Sequence, residues 1–174
     1  MNGNLVFRII SYIVFVIDIT TWKSRKNNIT AQLGNCLLPL TKRKNKPIIL
    51  VLILAPALIF LQRFRDFSFA FNLILSITAI LATEVVLKDR ILNSLSGVYE
   101  NGFIVDGRFF LYSSVIALPT LSYEKESPPQ EEIYAKSLKL VTHTVGEIFI
   151  GFHSIEEREK AIQIILEREP RLAP

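Results

Sequence analysis

The sequence predicts a membrane α-helical hairpin of two or three spans joined to a small α+β domain, an antiparallel meander capped by a C-terminal helix. Three observations point there. Long uncharged apolar runs occupy the first half of the chain; short apolar segments punctuated by turn dipeptides follow from Leu95; and a helix-capping signature opens an amphipathic stretch near the end. A chain of 174 residues has room for a membrane module and one small domain, since domains centre on about 100–150 residues. The expected division is a membrane region over residues 1–92 and a folded domain over residues 97–170.

Charge divides the chain at the same place. Residues 1–96 carry 12 Lys/Arg and 4 Asp/Glu, whereas residues 97–174 carry 8 and 12. Basic residues beside apolar runs suit an anionic membrane surface. Nucleic-acid binding calls for Lys and Arg on a folded face with exposed aromatics. This chain places them otherwise, so no nucleic-acid partner is expected.

The first apolar run, Leu5 to Trp22, holds Arg8 and Asp18, with nine uncharged residues between them. A charge at a helix centre costs about 2.5–3.5 kcal/mol on insertion scales, but these two lie near opposite ends, in reach of an interface. Trp22 and Lys23 resemble the aromatic and basic edge that closes a span. A cleaved signal peptide is not expected, because no basic residue precedes the apolar core until Arg8 and no small-x-small site follows. The competing reading is an amphipathic helix lying in the membrane plane. A span over residues 5–22 is preferred because Ile9 to Ile17 is apolar on nearly every side.

Residues 23–46 read as a basic loop. They hold Lys23, Arg25, Lys26, Lys42, Arg43, Lys44 and Lys46 and no Asp or Glu. That is a positive-inside signal, which puts the loop in the cytoplasm and offers these side chains as membrane-surface contacts. The mildly apolar Leu33 to Leu40 suits the headgroup layer. Cys36 is the lone cysteine, so no intrachain disulfide or multi-cysteine zinc site is expected. Asn35 is too large for lipoprotein cleavage before Cys36. Asn28-Ile29-Thr30 is formally a glycosylation acceptor, but the orientation hides it.

The second and third runs, Pro47 to Gln62 and Phe67 to Thr83, have 16 and 17 uncharged residues. A span needs roughly 17–25. Snorkelling by Lys46, Arg63 and Lys88 extends them, giving spans of about 47–63 and 67–87. Pro56 implies a kink. Arg63-Phe64-Arg65-Asp66 links the two into a hairpin with its tip outside. The chain returns at Lys88-Asp89-Arg90, which places residues 97–174 in the cytoplasm. A soluble core helix keeps one polar face; Ile48 to Leu54 has none.

Beyond Leu95 the expected order is six strands and a helix. Val98-Tyr99-Glu100 precedes the turn dipeptide Asn101-Gly102, and Phe103-Ile104-Val105 precedes Asp106-Gly107. Arg108 to Tyr112 is the third strand. Val115 to Tyr123 is the fourth, with Pro119 marking an edge or bulge. Glu124 to Glu132 is a polar loop. Ile133 to Thr142 and Glu147 to Phe152 complete the set, the latter burying Ile148, Ile150 and Phe152. Ser154-Ile155-Glu156-Glu157 is a capping box. The helix it opens runs to about Arg168 and stops before Pro170, and its apolar positions Ala161, Ile162, Ile165 and Leu166 make one face.

The stretch Glu100-Asn101-Gly102-Phe103-Ile104-Val105-Asp106-Gly107-Arg108-Phe109-Phe110-Leu111-Tyr112-Ser113-Ser114-Val115 resembles the pattern of bacterial pleckstrin-homology-like domains. It is similar to a group found at the cytoplasmic end of small bacterial membrane proteins. The matching positions are Glu100, Gly102, Gly107, Arg108, Phe109, Tyr112 and Val115. Tyr112 stands where that pattern has Trp, Ser113 and Ser114 where it has acidic residues, and Val115 where it has Ile. The resemblance covers residues 97–168 and implies a partly open barrel capped by the final helix. It implies no activity, and the departures at Tyr112 to Ser114 leave no binding surface to carry over.

Little in the sequence points to catalysis. His143 and His153, the only histidines, lie in a turn and before a helix cap, with no cysteine between them and no clustered carboxylates, so no metal is expected. No P-loop, Gly-x-Ser-x-Gly or Gly-x-Gly-x-x-Gly occurs. Glu124, Glu126, Glu131 and Glu132 read as a solvated loop rather than an acid–base pair. Asp18 and Glu84 lie close enough to an interface to need no role in ion transport. No cofactor is expected. The expected function is a non-catalytic, membrane-anchored binding or scaffold module on the cytoplasmic side of the inner membrane, engaging the bilayer and a protein partner or itself as a homo-oligomer. The domain's net acidity favours a protein over anionic lipid, and its strand edges offer a route by strand addition. The alternative is a small subunit of a transporter or other membrane complex, with the helices as the working part.

Overall fold

The structure is a computed structural model of the chain and describes residues 3–42, 53–58, 60, 61, 67–126 and 131–173. Two units emerge: residues 1–27 with 44–91, and residues 28–43 with 92–174.

The first unit is helical. Helix α1 (Gly3–Thr20) is followed, after a turn at Thr21, by α2 (Trp22–Leu33). Strand β1 (Cys36–Pro39) leads out of α2, residues 53–58 are again helical, and α3 spans Phe69–Ser94. The 26 residues of α3 rise about 39 Å at 1.5 Å each, more than the ~30 Å hydrocarbon thickness of a bilayer.

Among the described residues α3 is the one helix long and apolar enough to cross a membrane. The apolar stretch of α1 among the described residues, Ile9–Thr20, is shorter. The expected two or three spans thus reduce, among these residues, to one. Much of the expected second span, including 47–52, 62 and 63, and the hairpin tip Arg63–Asp66 lie outside the described residues.

Along α1 and the first part of α3, burial runs opposite to that of a helix that buries an apolar face. On α3 the buried positions as far as Thr83 are Asn72, Ser76, Ala79 and Thr83, while Ile74 is 60% exposed and Val85 65%; beyond Val85 the pattern reverts, with Val86, Leu87, Ile91 and Leu92 buried. On α1, Ser11 is buried while Ile9, Ile13, Val16 and Ile17 are exposed. Ala55 and Ala79 meet at the centre, with Tyr12, Phe15 and Leu58 packed around them. Two alanines at the contact let backbones approach closely, the packing favoured where the solvent is as apolar as the side chains. Thr83 Oγ1 donates to Ala79 O at 2.8 Å and Thr21 Oγ1 to Ile17 O at 2.8 Å, so these hydroxyls are satisfied within the chain's own helices.

The second unit holds two antiparallel sheets. One has the order β1-β2-β3-β4, with β2 (Gly97–Tyr99), β3 (Gly102–Val105) and β4 (Arg108–Leu111). A 3₁₀ turn (Tyr112–Ser114) leads to β5 (Val115–Ala117), which forms the second sheet with β6 (Ser137–Thr142) and β7 (Gly146–Gly151) in the order β5-β6-β7. Helices α4 (Pro119–Glu126) and α5 (Glu132–Ala135) lie between β5 and β6, and α6 (Ile155–Arg168) follows β7. The α+β meander with a terminal helix stands. No ladder joins the sheets among the described residues, so the barrel expected from the resemblance does not close.

Local chemistry explains most boundaries. Asp106 (φ 51°) and Gly107 (φ 70°) occupy the two left-handed positions of the β3–β4 hairpin, as a type I′ turn requires. Gly102 begins β3 rather than sitting in the turn; a Cβ there would run into the carbonyl of Phe110 and lie 2.9 Å from Leu111 Cα. Pro119, expected to mark an edge or bulge within the strand Val115 to Tyr123, instead opens α4, where its missing N–H is harmless; the strand ends at Ala117. The expected fifth strand loses its first residues to α5. Ser154 Oγ accepts from Glu157 N at 3.1 Å, and α6 runs to Arg168 with Ala161, Ile162 and Ile165 buried, as the capping box predicts.

The main core joins Val98, Phe103, Phe110, Val115, Leu138, Leu140, Ile150 and Ile165 between the sheets and α6. A second cluster, Leu33, Leu92, Tyr99 and Ile104, covers the other side of the first sheet. Hence all four residues of β3 are buried, and the strand reads as a continuous apolar run rather than an alternation.

Candidate functional site

The motif residues assemble the second unit rather than a cleft. Helix α2 ends at Leu33 and turns through Gly34 at φ 78°, the left-handed position that favours glycine. Glu100 grips this turn: its Oε2 accepts from Asn35 N at 2.9 Å and its Oε1 from Asn35 Nδ2 at 3.1 Å. These bonds hold the Glu100 carboxyl below the usual carboxylate range. Asn101 Nδ2 donates to Gln32 O at 3.2 Å. Gly102 admits β4. Gly107 completes the hairpin. Tyr112 is buried, donates through its hydroxyl to Tyr99 O at 2.9 Å, and accepts at its carbonyl from Arg171 Nη2 at 2.7 Å. Val115 is in the main core, and Phe109 packs on the second cluster. Arg108 alone faces outward, donating through Nη1 to Phe149 O at 3.4 Å.

The basic residues divide. Lys23 and Lys42 are exposed, Lys26 is half-buried, and Arg43, Lys44 and Lys46 lie outside the described residues. Arg25 is committed to an ion-pair triad at the polar end of the first unit. Its Nη1 pairs with Glu84 on α3, and its Nη2 lies 3.3 Å from Asp18 Oδ1 on α1. The Arg90 guanidinium sits 5.2 Å from the Trp22 ring centroid. So Asp18 and Glu84, weighed as transport groups, are joined through Arg25. Arg25 and Glu84 lie 59 positions apart and carry no local signal of their pairing.

No protein-family model, curated protein or solved structure matches the chain.

No group of three or more His, Cys, Asp or Glu among the described residues could hold a metal ion. His143 and His153 are both exposed. The buried pair between Arg158 Nη2 and Glu124 Oε1, 2.7 Å apart, ties α4 to α6. The open feature is the outer side of β7. Phe149 is 60% exposed, with Lys139 Nζ 5.7 Å from its ring centroid and 2.7 Å from Glu147 Oε2. The alternation of Glu147 to Phe152 marks Ile148 and Ile150 as inward; it does not reveal that β7 ends its sheet.

Proposed function

We propose that this chain is a non-catalytic, membrane-anchored binding module. In this reading α3 crosses the bilayer, α1 and the helical residues 53–58 pack along it, and the second unit acts as a scaffold on the cytoplasmic side of the inner membrane. The observation that carries it is the inverted burial of α1 and α3. Along α1 and from Phe69 to Val85 of α3, large aliphatic side chains such as Ile13, Ile74 and Val85 are exposed, while Ser11, Asn72, Ser76, Ala79 and Thr83 are buried. Water selects the reverse arrangement, because exposed apolar surface costs roughly 25 cal/mol per Å². Lipid imposes no such cost, and helices there associate through small residues and hydrogen bonds. The basic stretch from Lys23 to Lys46, free of acidic residues, supports the orientation. The second unit's structural use of its motif residues and its outward Phe149 support a binding rather than a chemical role.

The test combines extraction with labelling. The chain should stay in the pellet when membranes are washed with alkaline carbonate. Cys36 is exposed and lies in β1, which pairs with β2, so its reactivity reports the side occupied by the second unit. A membrane-impermeant maleimide should label it only after permeabilisation. Release by carbonate would remove the anchor from this reading. Labelling in intact spheroplasts would place the second unit outside.

A further inference from the structure

Strand β7 is the last strand of its sheet. Phe152 N donates to Lys136 O at 2.9 Å, which extends the β6–β7 register of Leu138 with Ile150 and Leu140 with Ile148. Antiparallel ladders alternate, so the even-numbered residues of β7 bond to β6. The backbone groups of Glu147, Phe149 and Gly151 then point off the sheet. Among the described residues the one partner they have is Arg108, at 3.4 Å from Phe149 O, long for a hydrogen bond. A Cβ on Gly146 or Gly151 would meet nothing within 4 Å, so the face of the sheet is uncovered at both ends of the strand. Edges are commonly guarded by Lys, Pro or a bulge. β7 has no Lys or Pro, its register with β6 is unbroken over six residues, and Phe149 stays 60% exposed with the Lys139 ammonium 5.7 Å from its ring centroid.

We propose that this edge pairs with the same edge of a second copy, β7 antiparallel to β7 about a two-fold axis through Phe149. The proposal rests on the reading of the second unit as a scaffold. Only outward residues can meet across such an interface, and two-fold symmetry then fixes the partners. Phe149 faces Phe149, and Glu147 faces Gly151 of the other copy. The strand is self-complementary in that register. The carboxylate lies beside a glycine with open space, whereas centring on Glu147 would set two carboxylates face to face. The two rings, each 60% exposed in one copy, cover one another, and an isologous contact of this kind closes at two copies. Arg108 yields its one long bond. A ladder this short is weak between free molecules, and confinement to a membrane raises the effective concentration.

A cysteine series in the full chain, with Cys36→Ser, tests this in native membranes under mild oxidation. Directly opposed hydrogen-bonded residues have Cα atoms about 5.5 Å apart, within the ~4.4–6.8 Å of a disulfide. Phe149→Cys should therefore give a covalent dimer. Glu147→Cys alone should not, since its two copies stand roughly 14 Å apart at ~3.4 Å per residue. Glu147→Cys with Gly151→Cys in one chain should crosslink again. Phe149→Pro removes the outward N–H and leaves the bonds to β6 intact; it should convert a dimeric mass in mild detergent to a monomeric one. Equal crosslinking at 147 and 149, no crosslink at 149, or a monomeric unsubstituted chain overturns the pairing. So does a crosslink from 149 to a different protein. Carbonate extraction and Cys36 labelling are read separately, so failure here is distinguishable from failure of the membrane-anchored reading.

Discussion

At the scale of single residues, Glu100 shows how one carboxylate holds a turn. Its folded-state pKa is lowered by the two Asn35 donors. A lowered pKa contributes stability at pH above the unfolded value of roughly 4.3, and that contribution is lost as pH falls through the folded value. The second unit should thus loosen in acid, and Glu100→Gln should flatten that part of the pH profile in near-ultraviolet dichroism of the detergent-solubilised chain. The phenols give the opposite sign. Burial pushes both Tyr99 and Tyr112 up to about 12. Their contribution is full below the ordinary phenol value and lost as pH rises through about 12, which a spectrophotometric phenolate titration will read as a late, cooperative step. At Gly34 an alanine would need φ 78° and would place Cβ 2.5 Å from Glu100 Oε2. Gly34→Ala should destabilise the unit by about 1–2 kcal/mol from the backbone alone, measured by denaturant titration.

Between elements, the decisive contacts join segments far apart in sequence. Arg158 on α6 is 5% exposed and pairs with Glu124 on α4 through Nη2, at 2.7 and 2.8 Å from the two carboxylate oxygens. Removing one partner strands a buried charge. Glu124→Ala should cost about 3–5 kcal/mol, and the double change Glu124→Leu with Arg158→Met should recover most of it; chemical denaturation of the three variants decides. Strand β1 matters in the same way. Cys36 pairs with Tyr99 and Pro39 with Gly97, Leu40 enters the main core and Leu33 the second cluster, and Glu157 accepts from Thr41 N while Oε2 accepts from His153 N at 3.0 Å. Replacing Cys36–Pro39 by a Gly-Ser linker should abolish slow amide exchange at Val98, whose N–H faces β1. Retention of protection there would show that β2 needs no neighbour on that side.

At the scale of the molecule, the solvent of the first unit decides which substitutions are tolerated. Ala79 faces the packed centre and is fully buried, whereas Ile74 and Ile77 face out. Ala79→Leu should destabilise the unit by about 1–3 kcal/mol through overpacking, while Ile74→Leu should be silent, as read by unfolding in mixed micelles. Ile77→Lys should impair membrane insertion, at about 2.5–3.5 kcal/mol for a central charge. If Ile77→Lys inserted normally and Ala79→Leu were neutral, the outward face of α3 would not be the lipid face.

What the sequence determined by itself was whatever depends on neighbours along the chain. Run length and charge spacing mark the apolar helices, Asp106-Gly107 marks a hairpin, and Ser154 with Glu157 marks the start of α6, because these signals act within a few residues. Tertiary structure alone decided the rest. Residues 22–33 became a helix and 36–39 a strand inside what reads as a basic loop, since β1 exists only where β2 offers it a ladder. Pro119 opened a helix because Thr120 Oγ1, one residue on, accepts from Lys139 N at 2.6 Å and holds α4 against β6. The same holds for the motif. Its residues are legible as a pattern, but that Glu100 serves a turn 65 positions away, and that Phe149 rather than Tyr112 meets solvent, follows from how the sheets stack. Long-range pairing leaves no periodicity in the chain, so only the folded arrangement contains it.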